Sequence, residues 1–259
     1  MNYLEKFPGF ENFFRSLGAH AIFFKETVVW AVRPPFDRQN IINQMFEVGY
    51  KSFPVTSITL FFTGMVMALQ IGKAMDTLMS GSSIFIGSAV TISMFRELCP
   101  VLTALLLAGR VGSSFAAEIG TMKVTEQIDA LRTLYAEPVQ YLSVPRFIAC
   151  LVMTPSLTVI TDIVGVMGGA VVAFFSLNIP PDSYITNILQ NIRLADFLSG
   201  LSKSFFFGAE VAIISCFSGF QTSGGAEGVG RATVQAVVRS SMVILISDYF
   251  ITYLIQIIE

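Results

Sequence analysis

The stretch Met94-Phe95-Arg96-Glu97-Leu98-Cys99-Pro100-Val101-Leu102 sets an arginine beside a glutamate inside a run of 36 residues, Ile84 to Ile119, that is otherwise almost wholly apolar or small. Cutting the run at the charged pair would leave a first piece of 12 residues, Ile84 to Phe95. That is too short to cross a bilayer, which takes about 20 residues of helix. The run therefore reads as one long membrane span, kinked at Pro100, which removes a helical hydrogen bond. A charge buried in such a span is costly unless it is paired or reaches water. Arg96 and Glu97 thus need a partner, a wet cavity or a boundary.

Composition extends the same reading to the whole chain. Of the 259 residues, 53% are hydrophobic and 13% charged, against about 25% charged in soluble domains, and mean hydropathy is +0.68. The expected fold class is an all-α integral membrane protein with one membrane domain over residues 52–259, preceded by cytoplasmic or interfacial helices over residues 1–51. A net charge of −2 gives no sign of a nucleic-acid partner. Cys99, Cys150 and Cys216 are odd in number and lie in apolar runs, which points to buried free thiols and away from disulfides or a metal site. Glu5, Lys6, Glu11 and Arg15 occupy the place where a signal peptide would be apolar, so no cleavable signal is expected.

Five spans are expected: Phe53 to Met75, Ile84 to Ile119, Phe147 to Leu177, Phe197 to Phe220 and Val234 to Ile258. The first carries Gly64 and Ala68 at the spacing that lets helix backbones approach. Ahead of it, Phe10, Phe13, Phe14, Leu17, Ala21, Phe24 and Val28 form an apolar stripe that ends at Arg33-Pro34-Pro35. This helix lies in the membrane interface or packs on the protein's own core. Polar segments are expected at 76–83, at 178–196, and as a flexible glycine-rich turn from Gln221 to Gly230. Lys and Arg concentrate on one side, including Arg33, Lys51, Lys123, Arg132, Arg146 and Arg231, while Lys73 and Arg193 fall on the other. The positive-inside rule then puts the N-terminus in the cytoplasm and the C-terminus outside.

Two groups of residues are candidates for function. In the charged island between spans two and three, Thr121 to Leu134 reads as a short amphipathic helix whose Val124, Ile128, Leu131 and Tyr135 share a face. Glu126, Asp129 and Arg132 decorate the rest. Such a helix either lies on the membrane or bundle, or is a knob for a cytoplasmic partner such as an ATPase. Within the spans, Asp162, Lys203, Glu210 and Asp248 join Arg96 and Glu97 as ionisable groups that either serve function or merely hold the bundle. Lys203 and Glu210 are two turns apart and can share one polar seam. Gly224-Gly225-Ala226-Glu227-Gly228-Val229-Gly230 fits neither nucleotide-loop spacing, and no Walker A is present, so ATP chemistry must come from another subunit. His20 is the single histidine, which leaves no Ser-His pair or H-E-x-x-H helix for hydrolysis in the spans. An ion-gradient transporter working through Glu97, Asp162, Glu210 and Asp248 is the rival class, and a structural scaffold a third.

The run Arg96 to Ser114, continued by Ala117-Glu118-Ile119-Gly120-Thr121-Met122 and Thr125-Glu126-Gln127-Ile128-Asp129-Ala130-Leu131, closely resembles the signature of the MlaE/YrbE permease family. A second block, Lys203-Ser204, Phe207-Gly208, Cys216, Gly219, Gly224 to Thr233 and Ala236-Val237-Val238, with Asp248 downstream, resembles it too. The resemblance covers about residues 45–255. It implies the membrane subunit of an ABC system that moves phospholipid between a bacterial inner membrane and an MCE-domain protein. It also implies a homodimer, a cytoplasmic ATPase that binds ATP and Mg, and in some systems a STAS-domain protein. By the same resemblance Glu118, Gly120, Thr125, Glu126, Gln127, Ile128 and Asp129 belong to the element that couples to the ATPase. Arg96, Glu97, Leu98, Leu69 and Gln70 would lie near a lipid cavity between two protomers. Cys99 stands where glycine is common in the family, and Glu210 where some members carry no charge.

Overall fold

A computed structural model describes residues 8–34, 37–78 and 85–258, and among these residues the regular elements are all helices, joined by short turns, with no strand. The helices are α1 (Pro8–Val32), α2 (Arg38–Met45), α3 (Phe53–Leu78), α4 (Ile86–Val124), α5 (Gln127–Thr133), α6 (Val139–Phe175), α7 (Pro181–Asn191), α8 (Leu194–Phe220) and α9 (Gly225–Ile258). Five helical stretches are long and apolar enough to span a membrane: 38–75, which joins α2 to α3, and then α4, α6, α8 and α9. Most of the segment expected to be polar at 76–83 lies outside the described residues, as do the first seven residues.

Small residues set the helix spacing. Gly64 of α3 lies against the carbonyl of Gly165 in α6, and Gly168 against the carbonyl of Phe61. Ala68, one turn beyond Gly64, is completely buried. The small-residue spacing of the first span is therefore a helix contact, and α3 runs along α6 as the most extensive pairing in the molecule. One apolar cluster, around Leu60, Ala68, Val90, Met94 and Val172, fills the space between α3, α4 and α6. Another, around Val111, Phe115, Ile119, Phe147, Cys150 and Phe217, fills the end that α1 covers.

Helix α1 packs on that end. Phe23 sits 5.6 Å from both Phe217 and Phe220, and His20 lies 4.0 Å from Phe217, by ring centroids. The helix thus docks on its own bundle. Ile22, Phe24, Val29 and Val32 still face outward, which leaves an apolar surface for the membrane interface. All three cysteines are buried and free.

The structure departs from sequence expectation at three places. The glycine-rich stretch is not an extended loop: only Gly224 and Gly225 adopt positive φ, at 90° and 69°, and from Gly225 onward the chain is already α9. The segment 178–196 contains α7, opened by Pro181 in the first turn where a missing N–H costs nothing. The amphipathic helix expected from Thr121 to Leu134 is broken. α4 ends at Val124, Glu126 takes a left-handed conformation with φ 60°, and α5 starts anew at Gln127.

Candidate functional site

Within α4 the backbone loosens at Met94–Leu98, a π-turn in which the Cys99 N–H reaches back five residues to the Met94 carbonyl. One residue later Pro100 has no N–H to give the Arg96 carbonyl, so that oxygen is left without its helical donor. Lys203 of α8 supplies the missing partner: its ammonium donates to the Arg96 carbonyl at 3.0 Å. The same Nζ lies 2.7 Å from Glu97 Oε2 and 3.0 Å from Asp248 Oδ1 of α9. The Asp248 contact is an ion pair without a hydrogen bond to Oδ1. Thr252, one turn beyond Asp248, donates to Glu97 Oε1 at 3.3 Å.

Lys203 is wholly buried, so desolvation of its charge is offset only by these oxygens. Beside it, Arg96 Nε meets Asp196 Oδ1 at 2.5 Å. Asp196 in turn caps the start of α8 by accepting from the Arg193 N–H at 2.9 Å. Gly200, between Asp196 and Lys203, rests against the Phe95 carbonyl. That close approach of α8 to α4 is what lets both side chains reach Arg96 and Glu97.

The charged pair of the opening stretch is therefore resolved by partners and by a cavity together. Ser93, Arg96, Glu97, Ser199, Thr252 and Gln256 line a pocket of about 220 Å3 with Ile92 and Ile255. Of the other candidates pointed to by the resemblance, Leu69 and Leu98 are partly buried against the apolar cluster of α3, α4 and α6, and Gln70 is exposed on α3. Asp196 and Thr252 were missed in the sequence. Asp196 fell in a segment that read as loop, although an acidic residue three positions into a helix is a capping signal.

The expected seam of Lys203 and Glu210 is divided. Lys203 turns to Glu97 and Asp248, whereas Glu210 accepts from Ser247 at 3.0 Å and faces a larger, mostly apolar groove of about 680 Å3 shared with His20, Phe24 and Arg239. The larger groove offers fewer polar groups, so the smaller pocket is the stronger site for specific recognition. Asp162 belongs to neither. It is buried in α6 with Oδ1 unbonded, close to Cys99 and next to Thr161, whose hydroxyl lies 3.1 Å from that of Thr103.

At the opposite end, Glu118 bridges elements: its Oε2 takes Arg146 Nη2 of α6 at 2.7 Å and its Oε1 takes the Ser114 hydroxyl at 2.8 Å. Arg146 also donates to the Leu142 carbonyl at 2.7 Å and lies over the Phe115 ring. Gly120 is buried against Thr222. Ile128 anchors α5 in the core, whereas Thr125, Glu126, Gln127 and Asp129 are exposed. Asp129 pairs with Arg132 at 3.2 Å and Lys123 at 3.6 Å. Tyr135 does not join the face of Ile128 and Leu131. A left-handed φ of 57° turns it outward, and with Leu134 it is exposed at the tip.

Comparison with known proteins matches residues 41–254 to the family described as Permease MlaE. A probable ABC transporter permease protein of Rickettsia typhi is 46% identical over 243 residues, covering 94% of this chain and 93% of the relative. One from Synechocystis is 44% identical over 218 residues, 84% and 82% of the two chains, and one from Pyropia yezoensis 39% over 214 residues, 83% and 81%.

Proposed function

The chain belongs to the MlaE family of ABC transporter permeases, and from that premise we propose that it moves phospholipid between a bacterial inner membrane and an MCE-domain protein outside it. In this reading two copies pair around a lipid cavity, and each rests on a cytoplasmic ATPase that binds the ATP and Mg. A STAS-domain protein on the ATPase completes some assemblies. The N-terminus is cytoplasmic and the C-terminus periplasmic.

The observation that carries this reading is the polar pocket beside Lys203, set among apolar helices. A phospholipid needs apolar walls for its chains and fixed charge for its head, and a water-poor site keeps that charge effective. The exposed α5, bounded by left-handed residues at Glu126 and Tyr135, supports a coupling role, since a short rigid element between two spans can transmit closure of a partner.

The test is reconstitution with the ATPase and the MCE-domain protein in lipid vesicles. Glu126→Lys and Asp129→Lys are expected to leave the chain folded in the membrane and to lower ATP-dependent lipid transfer by about tenfold, the effect of one lost charged contact. Glu97→Arg is expected to impair transfer while assembly persists. Undiminished transfer in all three variants overturns the reading. Reconstituted alone under a pH or sodium gradient, the chain is expected to move no substrate, because Glu97 and Asp248 are both engaged by Lys203; gradient-driven transport would favour a secondary transporter.

A further inference from the structure

Arg239 is a cation without a counter-ion. It is exposed on α9, within a helix apolar enough to span a membrane, and among the described residues it forms neither an ion pair nor a hydrogen bond. A cation left bare in a span is costly unless it pairs or reaches the membrane surface. Arg239 lines the larger groove of about 680 Å3, whose walls include Phe24 of α1, Phe206 and Ile213 of α8 and Val243 of α9. Phe24 and Phe206 are both exposed, so the groove is continuous with the apolar outer surface of the bundle. Its polar groups stand apart. Glu210 is held by Ser247, about two turns beyond Arg239 on α9, which is about 12 Å along the helix axis. α8 and α9 are joined by a short turn, so Arg239 lies toward the end where His20 meets Phe217. That end also carries α5, because Phe23 and Ile128 share one apolar cluster.

We propose that this groove is a second lipid site, apart from the polar pocket, which holds an acyl chain of an anionic phospholipid with the phosphate on Arg239. A guanidinium presents a fork of N–H donors that matches a phosphate, and basic positions between spans on the cytoplasmic side receive anionic heads. The apolar walls cover the chain, and the volume of about 680 Å3 lies within the roughly 300–1,000 Å3 of sites that enclose ligands. Glu210 fixes the orientation: a second phosphate at its end would meet like charge, so the head stays by Arg239 and the chain runs past Ile213 and Val243. A zwitterionic head brings an ammonium of its own, which Arg239 repels. His20 and Phe24 of α1 line the groove as well, so a bound lipid pins α1 against α8 and α9. The site requires only that the chain spans a membrane and is independent of phospholipid transport; the assignment to the cytoplasmic leaflet rests on the orientation proposed above.

The test uses the full chain in mild detergent, titrated with short-chain phosphatidylglycerol, phosphatidylcholine and phosphatidylethanolamine, and separately with glycerol 3-phosphate. Native mass spectrometry reads both binding and oligomeric state. Phosphatidylglycerol is expected to bind about tenfold more tightly than the other two lipids, the effect of one charge-assisted contact. Arg239→Gln, at an exposed position, is expected to bring the three lipids within about twofold of one another. Arg231→Gln, outside the groove and paired with Glu227, is expected to leave the preference intact. Val243→Trp, which fills the groove and keeps Arg239, is expected to weaken phosphatidylglycerol binding by about tenfold. Equal binding of the three lipids by the unmodified chain, or binding of none, overturns the site. A preference that survives Arg239→Gln overturns it too. Binding undiminished by Val243→Trp puts the lipid on the open surface and overturns the groove. Glycerol 3-phosphate that displaces the lipid at equal concentration assigns Arg239 to a soluble phosphate ester, which overturns the lipid source. Conversion of a dimer to a monomer by Arg239→Gln assigns the arginine to a second copy and overturns the proposal as well. Each of these outcomes leaves transport through the polar pocket standing.

Discussion

Lys203 holds more of the site together than any other side chain. It is buried, it touches Glu97, Asp248 and the carbonyl that Pro100 leaves open, and without it two carboxylates would face each other in an apolar bundle. Lys203→Met is expected to destabilise the fold by about 3–5 kcal/mol, the cost of breaking a buried pair from one side. Adding Glu97→Gln and Asp248→Asn to that variant is expected to recover most of the loss, because the orphaned charges are then removed as well. Thermal unfolding of the three proteins in one detergent checks both statements. Asp196→Ala is expected to cost more than an ordinary helix cap, about 1 kcal/mol, since Asp196 also holds the Arg96 guanidinium; the comparison is Asp196→Asn, which keeps a capping oxygen and loses the charge. At this scale the sequence revealed that Arg96 and Glu97 require partners, and Lys203 and Asp248 stood out as charges in apolar runs. It did not reveal who pairs with whom, because Lys203 and Glu210 share a helix and only the approach of α4 and α9 sends them to different neighbours.

Among the helices, the decisive geometry is carried by glycines and by breaks. Gly200 against the Phe95 backbone brings α8 near enough for Asp196 and Lys203 to reach α4. Gly200→Val is expected to cost about 1–3 kcal/mol by overpacking and to weaken lipid transfer even in protein that still folds, as measured by melting and transport in parallel. Glu126 strains the turn into α5 with φ 60°. Glu126→Gly is therefore expected to raise stability by about 0.5–1 kcal/mol through relief of the left-handed conformation, while coupling to the ATPase falls because the charge is lost. A stability gain with coupling intact would remove Glu126 from the coupling surface. The five spans were legible from length and hydropathy, and the Gly64 and Ala68 spacing from small-residue periodicity. The break at Glu126 was not, because residues 121–135 keep a helical apolar period straight through it. The glycines of 224–230 misled in the opposite direction: the residues that weaken helices elsewhere are here tolerated as the first turn of a long apolar helix.

In the whole molecule, α5 lies between the second and third spans and α7 between the third and fourth, which places them at opposite ends of the bundle. The proposed orientation puts α5 in the cytoplasm. Thr133→Cys is then expected to react with a membrane-impermeant maleimide only after permeabilisation, and Asp182→Cys in intact cells with the outer membrane opened. Both positions are exposed, and the native Cys99, Cys150 and Cys216 are buried, so they add little background. Reversed labelling would invert the topology and move α5 away from any cytoplasmic ATPase.

The π-turns at Met94–Leu98 and Ala108–Gly112 make α4 a helix whose angular phase changes partway along. Each residue of an α-helix advances it by about 100°, so removing one residue from the α-helical stretch Cys99–Leu107 would rotate the downstream wall of the span against Glu97 and Arg96 by about that angle, whereas the first π-turn holds one residue more than an α-turn and can lose it by closing to one. The residues from the deletion in Cys99–Leu107 onward to Val124 would then present a different face to α6 and α8 with every side chain still in its original order. Substitution scanning would miss this sensitivity. For this span the count of residues between the charged pair and α5 is itself under constraint, and single-residue deletions should be far less tolerated there than in the segment joining α6 to α7.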